Sequence, residues 1–176
     1  MPEFIKLVDE SLAVKGRNLV INSKDLEFDH TALQPGSIVG GYKAEFVSKS
    51  VGNAYKDAPI GQPITISFDL KMKVNTITST LPYLAVYNSN HQGDRSFDYN
   101  TIDLKPYCSN VGEVINRKIV IKTRLYAGSK VKDSNHIEFY SDYDSSNYFG
   151  ISNLKIEYGH EATDWTEAPE DLEGVS

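Results

Sequence analysis

The clearest periodic run in the chain is Ile64-Thr-Ile-Ser-Phe-Asp-Leu-Lys-Met-Lys73. Ile64, Ile66, Phe68, Leu70 and Met72 alternate with Thr65, Ser67, Asp69, Lys71 and Lys73. Successive side chains of a strand point to opposite faces, so this alternation is a strand with one apolar face. A slip of one residue would bury two lysines and an aspartate, so the register is well specified.

The same period recurs on both sides. Tyr83 to Tyr87 sets Leu84 and Val86 against Tyr83, Ala85 and Tyr87. Arg117 to Tyr126 sets Ile119, Ile121, Thr123 and Leu125 against Lys118, Val120, Lys122, Arg124 and Tyr126. His136 to Tyr143 sets Ile137, Phe139 and Ser141 against His136, Glu138, Tyr140 and Asp142. Shorter strands are expected at Leu19 to Ile21, at Tyr42 to Val47 after Gly40-Gly41, and at Thr101 to Leu104. Ser23 to Ser37, Ser48 to Gly61, Asn88 to Asn100 and Gly128 to Ser134 carry turn chemistry and read as loops. About eight strands with turn signals between them, and no helix, predict an all-β chain: a two-sheet antiparallel β-sandwich rather than a parallel α/β sheet. Eleven tyrosines and seven phenylalanines fit a strand-rich composition. A chain of 176 residues is enough for one domain, which would bury roughly 70% of its unfolded surface.

The last strand is Ile151-Ser-Asn-Leu-Lys-Ile-Glu-Tyr-Gly159. Its alternation has one irregularity near Asn153, and Gly159 ends it. The chain then runs His160-Glu-Ala-Thr-Asp-Trp-Thr-Glu-Ala-Pro-Glu-Asp171. Trp165, the only tryptophan, is expected to fold back and cap the core, with its N–H finding an acceptor. Display as a ligand platform is the rival reading.

This end of the chain resembles the C-terminal signature of β-sandwich modules in tail, baseplate and fibre proteins of phages of Gram-positive bacteria. The likeness rests on Ile151, Ser152, Leu154, Lys155, Ile156, Glu157 and Gly159, then Ala162, Thr163, Trp165, Thr166, Ala168, Pro169, Glu170 and Asp171. Gly16-Arg-Asn-Leu-Val-Ile-Asn-Ser23 is similar to the family's opening strand, and Pro63 to Lys71 looks like its long inner strand. The resemblance implies a jelly roll akin to carbohydrate-binding modules, a structural role in the virion, and no catalysis. It supplies framework positions and no binding residues.

Charge and composition narrow the partners. The net charge is −6 and no window is strongly basic, so neither nucleic acid nor an anionic membrane is expected as a partner. No apolar run approaches the roughly 20 residues that span a bilayer. Met1-Pro-Glu-Phe-Ile-Lys6 is no secretory signal, so synthesis in the cytoplasm is expected, and the resemblance implies the virion as the final location. Residues 1–15 differ from the remainder and are read as an attachment or leader segment ahead of a sandwich domain at 16–176. Cys108, the single cysteine, excludes an internal disulfide and reads as a small buried apolar residue.

Catalytic and metal signals are weak. There is no G-x-S-x-G, P-loop or H-E-x-x-H pattern. Asp98 with Asp103, or Asp142 with Asp144, could be cast as glycosidase carboxylates, but such pairs are common in a chain with 24 acidic residues. The chain is therefore not expected to be an enzyme. His30, His91, His136 and His160 are scattered singly, so zinc is not indicated. No cofactor is expected, with a structural calcium at Asn22 to Asp29 or Asp142 to Asn147 as the one exception considered. Ordinary turn-forming residues are the preferred reading of both stretches.

A sugar site needs flat aromatic platforms beside polar groups. With the aliphatic positions turned inward, Tyr83, Tyr87, Arg124, Tyr126, Glu138 and Tyr140 turn outward. If their strands share a sheet, they form a tyrosine-lined face, with His91, Arg95 and Tyr99 on its rim. The expected function is a virion structural module that binds host cell-wall polysaccharide and packs with other virion proteins, a homo-oligomer being compatible with that role. A purely structural accessory protein and, less favoured, a polysaccharide hydrolase are the alternatives.

Overall fold

A computed structural model describes residues 16–25, 28–31, 47–50, 61–87, 97, 100–125, 136–141, 144–146 and 148–173. Among these lie eight strands: β1 (Phe28–Thr31), β2 (Val47–Ser50), β3 (Pro63–Lys73), β4 (Tyr83–Tyr87), β5 (Asn100–Asp103), β6 (Val114–Arg124), β7 (His136–Tyr140) and β8 (Tyr148–Tyr158). A five-residue helix, α1 (Pro169–Glu173), closes the described chain.

The strands form two four-stranded sheets, in the orders β1-β8-β3-β6 (sheet I) and β2-β7-β4-β5 (sheet II). Every pairing is antiparallel. Successive strands alternate between the sheets except for the β4–β5 pair, which is the winding of an eight-stranded jelly roll. The all-β sandwich expected from the sequence is the fold observed.

The predicted alternation of β3 is present in full. Ile64, Ile66, Phe68, Leu70 and Met72 are buried in the core between the sheets, joined by Leu84 and Val86 of β4, Ile137 and Phe139 of β7, and Leu154 and Ile156 of β8. Phe68 of sheet I meets Phe139 of sheet II edge to face, with ring centroids 5.1 Å apart at 82°. That geometry suits the aromatic quadrupole and ties the two layers at their centre.

The irregularity in β8 is a bulge. Ser67 pairs with Lys155 and Asp69 with Ser152, so β8 spends one more residue than β3 over this interval. Asn153 absorbs it with φ 51, a left-handed conformation that asparagine tolerates, and its Nδ2 donates to Asp69 Oδ2 at 2.7 Å. The extra residue resets the alternation, so Ile151 and Leu154 both reach the core although three positions apart.

Two expectations need correction. Leu19 to Ile21 is not a strand: Leu19 N–H makes one bond to Ile156 O at 2.8 Å, and the chain turns away at Asn22, φ 58. The first strand is instead Phe28–Thr31, inside the stretch read as loop, and β2 likewise extends into the expected loop after Val47. Both are four-residue edge strands of mixed polarity. Their pairing follows the register of β8 and β7, not a pattern of their own. Residues 1–15 and 42–46 lie outside the described residues.

Candidate functional site

The outer face of sheet I carries a contradiction that the chain ends resolve. Thr65 and Ser67 of β3 and Lys155 and Glu157 of β8 point away from the core, yet all four are buried. Buried polar groups need partners, and buried charges need them most. For Thr65, Lys155 and Glu157 those partners come from residues 159–166, and residues 16–23 bond to the same segment to complete a clasp.

Lys155 Nζ donates to Thr163 Oγ1 at 2.8 Å, to Asp164 O at 2.7 Å and to Thr166 Oγ1 at 3.4 Å. Glu157 accepts from Thr163 N–H at 3.1 Å and from Thr163 Oγ1 at 2.8 Å. The two charges stand 3.9 Å apart. Burial pushes the Lys155 ammonium below the ordinary lysine range, while Glu157 pulls it back upward. Thr65 Oγ1 donates to Gly159 O at 2.8 Å, so the strand's end is fixed as well.

Asn18 joins the two chain ends. Its Nδ2 donates to Ser23 Oγ at 2.9 Å, Thr166 O at 2.9 Å and Leu154 O at 3.3 Å, and its Oδ1 accepts from Val20 N–H at 3.0 Å and Ile156 N–H at 3.3 Å. Trp165 Nε1 donates to Ser23 Oγ at 3.2 Å. Asp171, in α1, accepts Asn22 N–H on both oxygens at 2.9 Å, and Arg17 pairs with Glu170. Trp165 does fold back and find an acceptor. Its ring is half-buried and lies outside the inter-sheet core, so what it caps is the opening segment rather than the core.

The tyrosine-lined face comes together only in part. β4 and β7 are neighbours in sheet II, with Tyr87 opposite Glu138 and Ala85 opposite Tyr140. Arg124 does not join them, because β6 belongs to sheet I and pairs with β3. Tyr126, His91, Arg95 and Tyr99 lie outside the described residues. Outward parity also fails to mean exposure: Ala85 is 0%, Glu138 3% and Tyr87 8% exposed. Tyr83 alone of the described aromatic positions there is half-exposed. It is framed by Ser141 Oγ donating to Tyr83 O at 2.7 Å and by Tyr83 N–H donating to Ser145 Oγ at 3.2 Å.

Arg124 instead borders a surface pocket of about 510 Å³ with Lys122, Thr123, His160, Gly61 and Pro63. Lys122 stands opposite Thr65 and Arg124 opposite Pro63 in the β3–β6 register. Gly159 N–H donates to Pro63 O at 2.9 Å, which seats His160 beside the same strand end. Sequence reasoning had Lys122 and Arg124 on one strand face but lacked the link to His160. That link depends on β8 and β6 flanking β3.

Other candidates gather no machinery. Burial raises the Cys108 thiol above its ordinary range, with Glu113 and Asp103 acting in the same sense, so it is a poor nucleophile at neutral pH. Asp103 is exposed and pairs with Lys105 at 2.9 Å, and its partner in the glycosidase reading, Asp98, lies outside the described residues. So does Asp142, while Asp144 is exposed. Among the described residues no three His, Cys, Asp or Glu side chains gather as a metal site, and no helix is long and apolar enough to cross a membrane. Of the calcium stretches, Asn22 lends its N–H to Asp171, and Leu26, Glu27, Tyr143 and Asn147 lie outside the described residues.

Fold and site together define a jelly-roll sandwich module in which residues 16–23 and 159–171 are clasped over one sheet. No protein-family model matches the chain, and no curated protein matches it. Among solved structures it is similar to the tripod from the baseplate of bacteriophage Tuc2009, with a TM-score of 0.42 and 14% identity over 88% of this chain. The chain spans 59% of that one.

Proposed function

We propose that this chain is a structural module of a phage virion appendage, of the tail, baseplate or fibre kind, that contacts host cell-wall polysaccharide and performs no catalysis. The observation that carries the reading is the clasp. The residues that resemble the phage modules come from two ends of the sequence, and in the fold Asn18, Ser23, Lys155, Glu157, Thr163, Trp165, Thr166 and Asp171 bond to one another as a unit. The residues that carry the resemblance therefore act together in this fold. Polysaccharide contact is a further step, supported by the resemblance and by a half-exposed Tyr83. Weak sites of this kind gain strength from repeated display on a virion.

Ala85, Tyr87 and Glu138 are covered within the chain itself, which leaves less of the tyrosine face for sugar and keeps a second reading in play, a purely structural accessory that packs with other virion proteins. Adsorption of purified protein, presented on multivalent beads, to Gram-positive cells and to their extracted wall polysaccharide separates the two. Saturable binding that drops with Tyr83→Ala in a folded variant supports polysaccharide contact. Absence of binding by the beads, with co-purification of other virion proteins, supports the accessory role.

A further inference from the structure

We infer that the pocket formed by Lys122, Arg124 and His160 is a binding site for an oxyanion carried on a polyhydroxylated chain. The class covers the phosphodiester of a polyol-phosphate polymer and the carboxylate of a uronic-acid polymer. The inference rests on the host-surface reading only for where such a polymer would be met.

Three cationic or hydrogen-bond-donating side chains line one pocket of about 510 Å³. They arrive from two segments: Lys122 and Arg124 alternate on the outer face of β6, and His160 follows β8. All three are exposed, and none of their side chains is hydrogen-bonded or ion-paired to a described residue. In a chain of net charge −6 such a grouping stands out, because several other described surface cations are matched. Arg17 meets Glu170, Lys24 meets Glu167, Lys105 meets Asp103, and Lys118 donates to Thr163 O. The acid nearest in the register, Glu157 opposite Thr65, is buried and engaged by Thr163, so it neither neutralises the pocket nor blocks an anion.

The walls fit the same ligand. A guanidinium offers a planar fork that grips two oxygens of a phosphate or carboxylate, and an ammonium adds a mobile point charge. Gly61, φ +79, leaves open space where a side chain would stand, which lets a chain run past the charged end. Pro63 supplies an apolar edge for the C–H face of a polyol or sugar. The cations are solvated, so a single contact is weak and salt-sensitive, and repeated units on a polymer make the binding useful.

The test is a titration of the full chain, followed by amide NMR, with a short poly(glycerol phosphate), an oligoglucuronate and a neutral dextran oligomer of matched length. Saturable shifts at Gly61, Lys122, Thr123, Arg124 and His160 are expected with one or both anionic chains and not with dextran. The two anionic arms say which oxyanion the site takes. Lys122→Gln/Arg124→Gln should weaken binding by about tenfold or more, on the usual strength of charge-assisted contacts. Lys71→Gln/Lys73→Gln, exposed on the same sheet and equal in charge change, should leave it unaltered. Equal loss in both variants, dextran binding as well as the anions, or no saturable binding would each overturn the inference. Cell adsorption keeps the two readings distinct. Adsorption that survives the pocket variant sinks this site and spares the host-surface reading, whereas anion binding without adsorption does the reverse.

Discussion

The outer faces of the two sheets meet the same problem in different ways. On sheet I, Lys155 and Glu157 are buried and each is matched by specific partners from residues 159–171. On sheet II, Ala85, Tyr87 and Glu138 are buried at the centre while Tyr83 stays half-exposed at the strand end. A buried ammonium and carboxylate tolerate few substitutions, because removing either partner strands the other. The clasp is therefore the part of this molecule least open to change.

Substitutions in the clasp should have the largest effects. Lys155→Met leaves Glu157 buried without its cation and should cost about 3–5 kcal/mol in urea unfolding, much of it recovered in Lys155→Met/Glu157→Leu. Similar losses in the single and double variants would show that the pair is not what holds the face. Asn18→Ala removes bonds to three acceptors and from two donors, and roughly 2–4 kcal/mol is expected from the groups left unsatisfied. Trp165→Phe keeps most of the ring and loses only the bond to Ser23, so about 1 kcal/mol should go.

A smaller effect tests the electrostatics. Lys155 binds its proton less tightly folded than unfolded, so the unfolded chain carries more protons in the window below the ordinary lysine value. Stability contributed by this group therefore rises with pH through that window. Unfolding of wild type and Lys155→Met across the alkaline range should show wild type gaining relative to the variant; parallel curves would contradict the burial. At the bottom of the scale, Lys71→Ala, exposed on β3, should change stability by less than about 0.5 kcal/mol.

Much of the fold could be read from period alone, where a strand has one wet face and one dry. β3 carries its whole register in Ile64 to Lys73, and the bulge in β8 is visible as the break beside Asn153. Period says nothing about which strands pair. Arg124 was grouped with Tyr83 and Glu138 because all three point away from a core, but β6 joins β3 some fifty residues earlier in the chain, in the other sheet. Nor does period show what covers an outer face, which is why Tyr87 and Glu138 are buried where exposure was expected. The edge strands Phe28–Thr31 and Val47–Ser50 were illegible because mixed polar residues pair through backbone register only. Trp165 was placed correctly as folding back, but its acceptor, Ser23, lies 142 residues away and left no local trace.

Native-state hydrogen exchange is the most direct test of the clasp. The amides of Val20, Asn22, Ile156 and Thr163 donate to the side chains of Asn18, Asp171, Asn18 and Glu157 in turn. If the clasp belongs to the fold, Val20, Asn22 and Thr163 open with nearly the free energy of Ile66 and Phe68 in β3, and all slow down together as denaturant is withdrawn. Exchange of Asn22 and Thr163 at the rate of an unstructured peptide, with β3 still protected, would contradict it and leave the chain ends as loose tails on a closed sandwich.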